Sequence, residues 1–194
     1  MKPRRSKTAR PDLFDRVSHR YDRLFPYGGP ERLLPGLQME PGLRLLDIGG
    51  GTGRVAETLS SQAQVLVCDP SPGMLREARG KGLRACAGLA ERLPFADGAF
   101  DRLLVVDAFH HFYDQPRAVA ELLRVLRPDG RLVMEEQDIR LRGIKWVALA
   151  ERLLLMRSRF FSLPDMLSLF RERGAAVLAV EEGVDDNVRL VLSR

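Results

Sequence analysis

Leu46-Asp47-Ile48-Gly49-Gly50-Gly51-Thr52-Gly53-Arg54 stands directly after an apolar run and directly before a stretch with helical spacing. Glycines at alternate positions, Gly49, Gly51 and Gly53, strip side chains from a strand-to-helix turn. Backbone can then approach a ligand closely, and the start of the following helix offers amide donors. Asp47, at the strand end, adds a carboxylate suited to a cationic or hydroxyl-bearing ligand. The pattern points to a nucleotide-type cofactor. Gly51, Gly53 and Ala56 also satisfy the loose dinucleotide pattern G-x-G-x-x-G/A, so the loop alone leaves a nicotinamide cofactor open.

Outward from this loop, hydrophobic pattern and turn residues alternate strands with helices. Strands are expected over 43–48, 64–68, 83–87, 100–106 and 131–136, with helices over 54–61, 72–80 and about 115–126. Ser71 is placed to cap the second helix, and Gly80 and Gly82 to close it. Helices over 142–157 and 164–173 follow, and the runs 175–181 and 188–192 suit an antiparallel hairpin at the sheet edge. The expected fold is α/β: a three-layer α/β/α, Rossmann-like doubly wound sheet of seven strands, mostly parallel with an antiparallel C-terminal hairpin. Ligands of such sheets sit beyond the carboxyl ends of the strands. Those ends carry Asp47, Asp69, the stretch Leu89-Ala90-Glu91, Asp107 and Glu135-Glu136.

Size and composition narrow the classes. A chain of 194 residues, 45% hydrophobic and 29% charged, suits one globular domain. We read residues 1–11 as a basic, flexible tail and 12–194 as a single domain. Within it, 12–40 form N-terminal lid helices and 139–173 a helical acceptor-side segment. Cys68 and Cys86 sit in apolar runs without metal-spaced partners, as small core residues of a reducing compartment. No metal site, membrane span or secretory signal is expected, and the expected location is cytoplasmic. The net charge of +5 raises nucleic acid as a partner, but basic and acidic residues are mostly interspersed. The local excesses are the tail (Lys2, Arg4, Arg5, Lys7, Arg10) and 140–159. Nucleic acid is not expected; a monomer or homodimer is.

Three further motifs decide the cofactor. Asp69-Pro70-Ser71-Pro72-Gly73-Met74-Leu75 follows the second strand. Ala90-Glu-Arg-Leu-Pro-Phe-Ala-Asp-Gly-Ala-Phe-Asp101 leads into the fourth, and Leu126-Arg-Pro-Asp-Gly-Arg-Leu132 into the fifth. With the glycine loop, these resemble in order and interval the class I S-adenosylmethionine-dependent methyltransferases. The resemblance is closest to the small-molecule branch that includes the ubiquinone and menaquinone biosynthesis enzymes. It covers about residues 14 to 136, and a dinucleotide fingerprint predicts none of the last three motifs.

The resemblance implies S-adenosyl-L-methionine as cofactor and a role for each matching residue. Asp69 would accept both ribose hydroxyls, each charge-assisted bond contributing about 1.5–3 kcal/mol. Asp47, the backbone around Gly49, and Asp107 would hold the methionine amino end. Pro70 and Met74 would face the adenine, although a core role suits Met74 equally. Leu89 stands where many relatives carry an acidic residue that accepts the adenine amino group. The Ala90 backbone can still address the ring, and Glu91 is the candidate substitute acceptor. Phe14-Asp-Arg-Val-Ser-His-Arg-Tyr21-Asp22 resembles the family's opening lid helix, with Tyr21 toward the methyl group or simply packed on the domain.

His110 and His111 lie beyond strand four, where an acceptor approaches, and either is a candidate general base. A base is needed only if the nucleophile starts protonated. Trp146, Leu149, Leu153, Met156 and Phe160 recur at helical spacing, as core or as the lining of an apolar pocket. The expected activity is methyl transfer to a small-molecule acceptor, apolar and quinone- or lipid-like. The alternative is a protein that binds the same cofactor without catalysis, as a regulatory or partner subunit.

Overall fold

The computed structural model describes residues 13–24, 27–140, 158–184 and 187–194. The expected tail and the helix over 142–157, with Trp146, Leu149, Leu153 and Met156 of the apolar stripe, lie outside the described residues.

The chain enters through short helices, α1 (Leu13–Val17), α2 (Tyr21–Leu24) and α3 (Leu34–Leu37). The alternation follows: β1 (Arg44–Ile48), α4 (Ala56–Leu59), β2 (Gln64–Asp69), α5 (Pro72–Gly80), β3 (Arg84–Ala87), β4 (Phe100–Val106), α6 (Gln115–Val125) and β5 (Leu126–Gln137). The described chain closes with α7 (Leu163–Arg171), β6 (Ala176–Val184) and β7 (Asn187–Ser193). One seven-stranded sheet runs β3-β2-β1-β4-β5-β7-β6. β7 is antiparallel to both β5 and β6, and the remaining pairs are parallel. The expected seven-stranded, mostly parallel sheet with an antiparallel hairpin is the one observed.

Side-chain alternation along the strands splits the core between two faces. Leu46, Ile48, Leu103, Val105, Leu132 and Met134 pack with α6 and α7, through Val119, Leu122, Met166 and Phe170. Leu45, Val65, Val67, Leu104, Val106 and Val133 pack on the other face with Ala56 and Leu59 of α4 and Leu75 and Ala78 of α5. The strands are apolar on both faces because both are covered, as the uninterrupted run in β4 predicted.

Two elements depart from expectation. The helix expected over 54–61 contracts to the four residues of α4. It has no side-chain cap at its start. β5 begins at Leu126, five residues early, because Leu126 pairs with Phe100 before the register shifts to Arg102↔Arg131. The residues between loop outward around Asp129, which takes a left-handed φ of 64°.

Candidate functional site

The glycine loop folds as its composition requires. Gly49, Gly51 and Gly53 have φ of 70°, 56° and 72°, a region L side chains rarely enter. At Gly49 a side chain is excluded twice, since a Cβ there would lie 2.6 Å from the Cβ of Ala108. The loop is pinned to β2: Gly49 N donates to Cys68 O at 2.8 Å, and Gly51 N donates to Asp69 Oδ2 at 3.0 Å. Asp69 Oδ1 accepts from Ser71 N at 2.8 Å. Both carboxylate oxygens are thus oriented by backbone amides where β2 ends. Ser71 caps α5 as expected, accepting from Met74 N at 3.2 Å.

Asp47 and Asp107 stand at the neighbouring strand ends. Asp47 is 2% exposed, and its Oδ2 has no hydrogen-bond partner among the described residues. Burial, with the nearby charge of Asp69, raises its carboxyl to about 7. Asp107 follows β4 in a left-handed conformation, φ 48°. Its Oδ2 meets Arg54 Nη2 at 3.1 Å, while its buried Oδ1 has no partner among the described residues. Burial, reinforced by the charge of Glu136, raises it to about 6 despite Arg54. Two carboxylates held this high, each with a buried unpartnered oxygen, form a site that a cation would relieve.

A second group of residues ties the N-terminal segment over this edge. Asp15 Oδ1 accepts from Ser71 Oγ and Gly73 N, both at 2.7 Å. Asp22 accepts from the Thr52 hydroxyl of the glycine loop and from Lys81 Nζ. Burial works to raise the Asp22 carboxyl, but bonds from Lys81 and Thr52 bring it below its ordinary value. Arg54 lies over the rings of Tyr21 and Tyr27, 5.5 and 5.4 Å from their centroids. Tyr27 donates to Glu135 Oε1 at 2.9 Å, and Glu135 forms a buried ion pair with Arg189 of β7 at 2.7 Å. Burial holds the Tyr21 phenol above its usual value, so it stays protonated.

Beyond β4 the two histidines differ. His110 is 3% exposed, and its Nδ1 lies 2.6 Å from Glu136 Oε1. A carboxylate at this distance favours the ring tautomer that carries a proton on Nδ1. Phe160 stacks on that ring at 4.5 Å and 13°. His111 Nδ1 lies 3.1 Å from Ser158 Oγ, and Phe14 of α1 meets its ring edge-on at 5.1 Å. Burial first, then His110, lowers His111 to about 3, leaving it neutral and weakly basic.

Past β2 and β3 the surroundings turn apolar. Pro70 is exposed and Met74 is buried, its sulfur 3.7 Å from where a Cβ on Gly51 would stand. Leu89 is 43% exposed and Ala90 is buried. Glu91 turns inward: its Oε1 accepts from Tyr113 N at 2.6 Å and Asp114 N at 3.2 Å. Through that oxygen the carboxylate secures the loop before α6.

The residues present fit S-adenosylmethionine. Orphaned buried carboxylate oxygens at Asp47 and Asp107 suit its cationic amino-acid end, and the side-chain-free loop beside Asp69 suits its ribose. Reading the sequence missed Asp15, Asp22, Arg54, Tyr27 and Glu136. Asp15 and Asp22 lie in the segment that resembles a lid helix, but their partners are about 30 to 60 residues away and no local pattern betrays them. Glu136 was visible at a strand end, and only the fold brings it under His110.

Residues 46–134 match the methyltransferase domain family. The demethylmenaquinone methyltransferase of Beutenbergia cavernae is 38% identical over 134 residues, covering 64% of this chain and 56% of that protein. The chain therefore spans little more than half the length of this relative. A chain from the complex of the Haloferax volcanii Trm112 methyltransferase activator with a methyltransferase superposes with a TM-score of 0.83 at 18% identity, over 95% of this chain and 99% of that one. An S-adenosylmethionine-dependent methyltransferase of Thermotoga maritima, described as a possible histamine N-methyltransferase, gives 0.72 at 26% identity over 93% and 97%. With the glycine loop, the Asp69 motif and this sheet order, the chain is similar in fold to S-adenosylmethionine-dependent methyltransferases, and over its middle portion it is similar in sequence to enzymes of ubiquinone and menaquinone biosynthesis.

Proposed function

We propose that this protein transfers the methyl group of S-adenosylmethionine to a small apolar acceptor of the quinone type. The observation that carries the reading is the pair of buried, unpartnered carboxylate oxygens, Asp47 Oδ2 and Asp107 Oδ1, beside a glycine loop that aligns Asp69. When bound, the cofactor supplies an electrophilic methyl on a good leaving group. Asp69 takes the ribose hydroxyls, while Asp47, the Gly49 backbone and Asp107 take the methionine amino end. Gly51 and Gly53 keep the loop free of side chains. Pro70, Met74 and the Ala90 backbone border the adenine, with Leu89 at its rim. Tyr21, held on Arg54, closes the lid side and excludes water.

A reduced quinone ring carries a proton on the hydroxyl or carbon that becomes the nucleophile, so the reaction needs a base. His110 takes that role. Glu136, 2.6 Å from Nδ1, orients the ring and stabilises the imidazolium that forms. His111, lowered to about 3, shapes the pocket against Phe14 rather than accepting the proton. Orientation of acceptor and methyl supplies most of the acceleration, up to roughly 7–11 kcal/mol. We place the protein in the cytoplasm as a monomer or homodimer. No helix among the described residues is long and apolar enough to cross a membrane.

The test pairs calorimetry on S-adenosylhomocysteine with a mass-shift assay on a reduced, demethylated naphthoquinone. Binding together with a gain of one methyl is the expected result. Binding without turnover on any quinol offered would replace the enzyme with the non-catalytic cofactor-binding reading.

A further inference from the structure

The order of strands fixes which way an elongated cofactor lies. Asp69 ends β2, whereas Asp47 and Asp107 end β1 and follow β4, on one side of it. With the ribose on Asp69 and the cationic end toward Asp47 and Asp107, the base must extend the other way, over the end of β3. Ala87 is the register partner of Asp69 there, and Gly88 N reaches back to Asp69 O at 3.3 Å. Next comes Leu89, bridged to Arg92 and exposed toward solvent.

An adenine at this end meets apolar side chains and backbone. The neighbouring carboxylates among the described residues point elsewhere. Glu91 accepts the Tyr113 and Asp114 amides, Asp114 caps α6 through Arg117 N at 3.0 Å, and Glu121 takes Leu93 N and Arg124. The 6-amino group therefore faces an open, half-exposed leucine rather than a paired acceptor.

We propose that Leu89 makes this chain indifferent to substitution on the adenine 6-amino group, so that N6-substituted adenosyl cofactors bind as the parent does. The proposal rests on the cofactor reading above. A site that hydrogen-bonds a ligand amine penalises its loss or blockage, because its own polar group is left unpaired; an apolar, open rim carries no such penalty.

Calorimetry on the full chain tests this with S-adenosylhomocysteine and its N6,N6-dimethyl analogue, whose amine keeps no hydrogen to donate. The expected result is a Kd ratio within about threefold for the native protein. In L89D, where a carboxylate faces the amine, the parent should bind tighter and the ratio should open to about tenfold or more, the size of one hydrogen bond to a charged group. If the native protein binds the parent but loses about tenfold on the analogue, the proposal is wrong and the cofactor reading stands. An unchanged ratio in L89D also overturns it. If neither compound binds, the cofactor reading fails and takes the proposal with it.

Discussion

Glu136 Oε1 lies 2.6 Å from Nδ1 of His110, and both side chains are almost wholly buried. The same carboxylate also accepts the amides of His110 and Gln137, at 3.3 and 2.9 Å, so it cannot swing away from the ring. Glu136→Gln removes the charge that favours the imidazolium and presents an amide that can support the wrong tautomer. Turnover should fall roughly ten- to hundredfold, with the pH–rate profile displaced. The Kd for S-adenosylhomocysteine should stay within about twofold. A parallel loss of cofactor affinity would mean that Glu136 supports the fold rather than the base.

Asp47 opposes stability in the unliganded protein. Its carboxyl stands at about 7 in the fold and near 3.9 in the unfolded chain, so the folded state binds the proton more tightly. Stability should therefore fall as pH rises from about 4 to about 7, and the loss at neutral pH is on the order of a few kcal/mol. Asp47→Asn should raise the melting temperature at pH 7.5 and weaken cofactor binding at least tenfold. Differential scanning calorimetry and titration calorimetry on the same variant read both effects.

Cofactor affinity should depend on pH through Asp47 and Asp107. A bound ammonium lowers both carboxyls from about 7 and about 6, so binding expels protons that the free protein holds below those values. Affinity should rise with pH from about 5 to about 7.5 and then level off. The thermal shift given by S-adenosylhomocysteine should accordingly be larger at pH 8 than at pH 5.5. A flat response would detach these two carboxylates from the amino end.

Asp22 holds the lid to Thr52 and Lys81 without meeting the core of either hydrophobic cluster. Asp22→Ala should speed dissociation of S-adenosylhomocysteine several-fold by stopped flow, with little change in melting temperature. An unchanged release rate would leave the N-terminal segment held by other contacts, Asp15 with Ser71 and Gly73 among them.

The parallel half of the molecule was legible because its signals are local. Ser71 before Pro72, the apolar run 100–106, and alternate glycines ahead of Arg54 each act within a few residues, and each element appeared where its residues put it. The overlong helix at 54–61 failed for the same reason. Residues 56–59 carry the periodicity, but the glycine loop holds Arg54 in the preceding turn, from where it reaches Asp107. What sequence could not give was the second half of each pairing: Glu136 with His110, Asp22 with Thr52, Tyr27 with Glu135. Those depend on sheet order, and adjacency across β4 and β5 cannot be read from either strand alone.

The buried Glu135–Arg189 pair has a reach that its position hides. Arg189 sits on β7, with two strands between it and the β1 strand that leads into the glycine loop, yet its partner carboxylate receives the Tyr27 hydroxyl, and Tyr27 in turn supports Arg54. The hairpin at the far margin is thereby mechanically linked to the mouth of the binding cleft. Drift in the outer strands of this chain need not be silent: a neutral residue at Arg189 would strand an anion in the interior and slacken the aromatic clamp over the entrance.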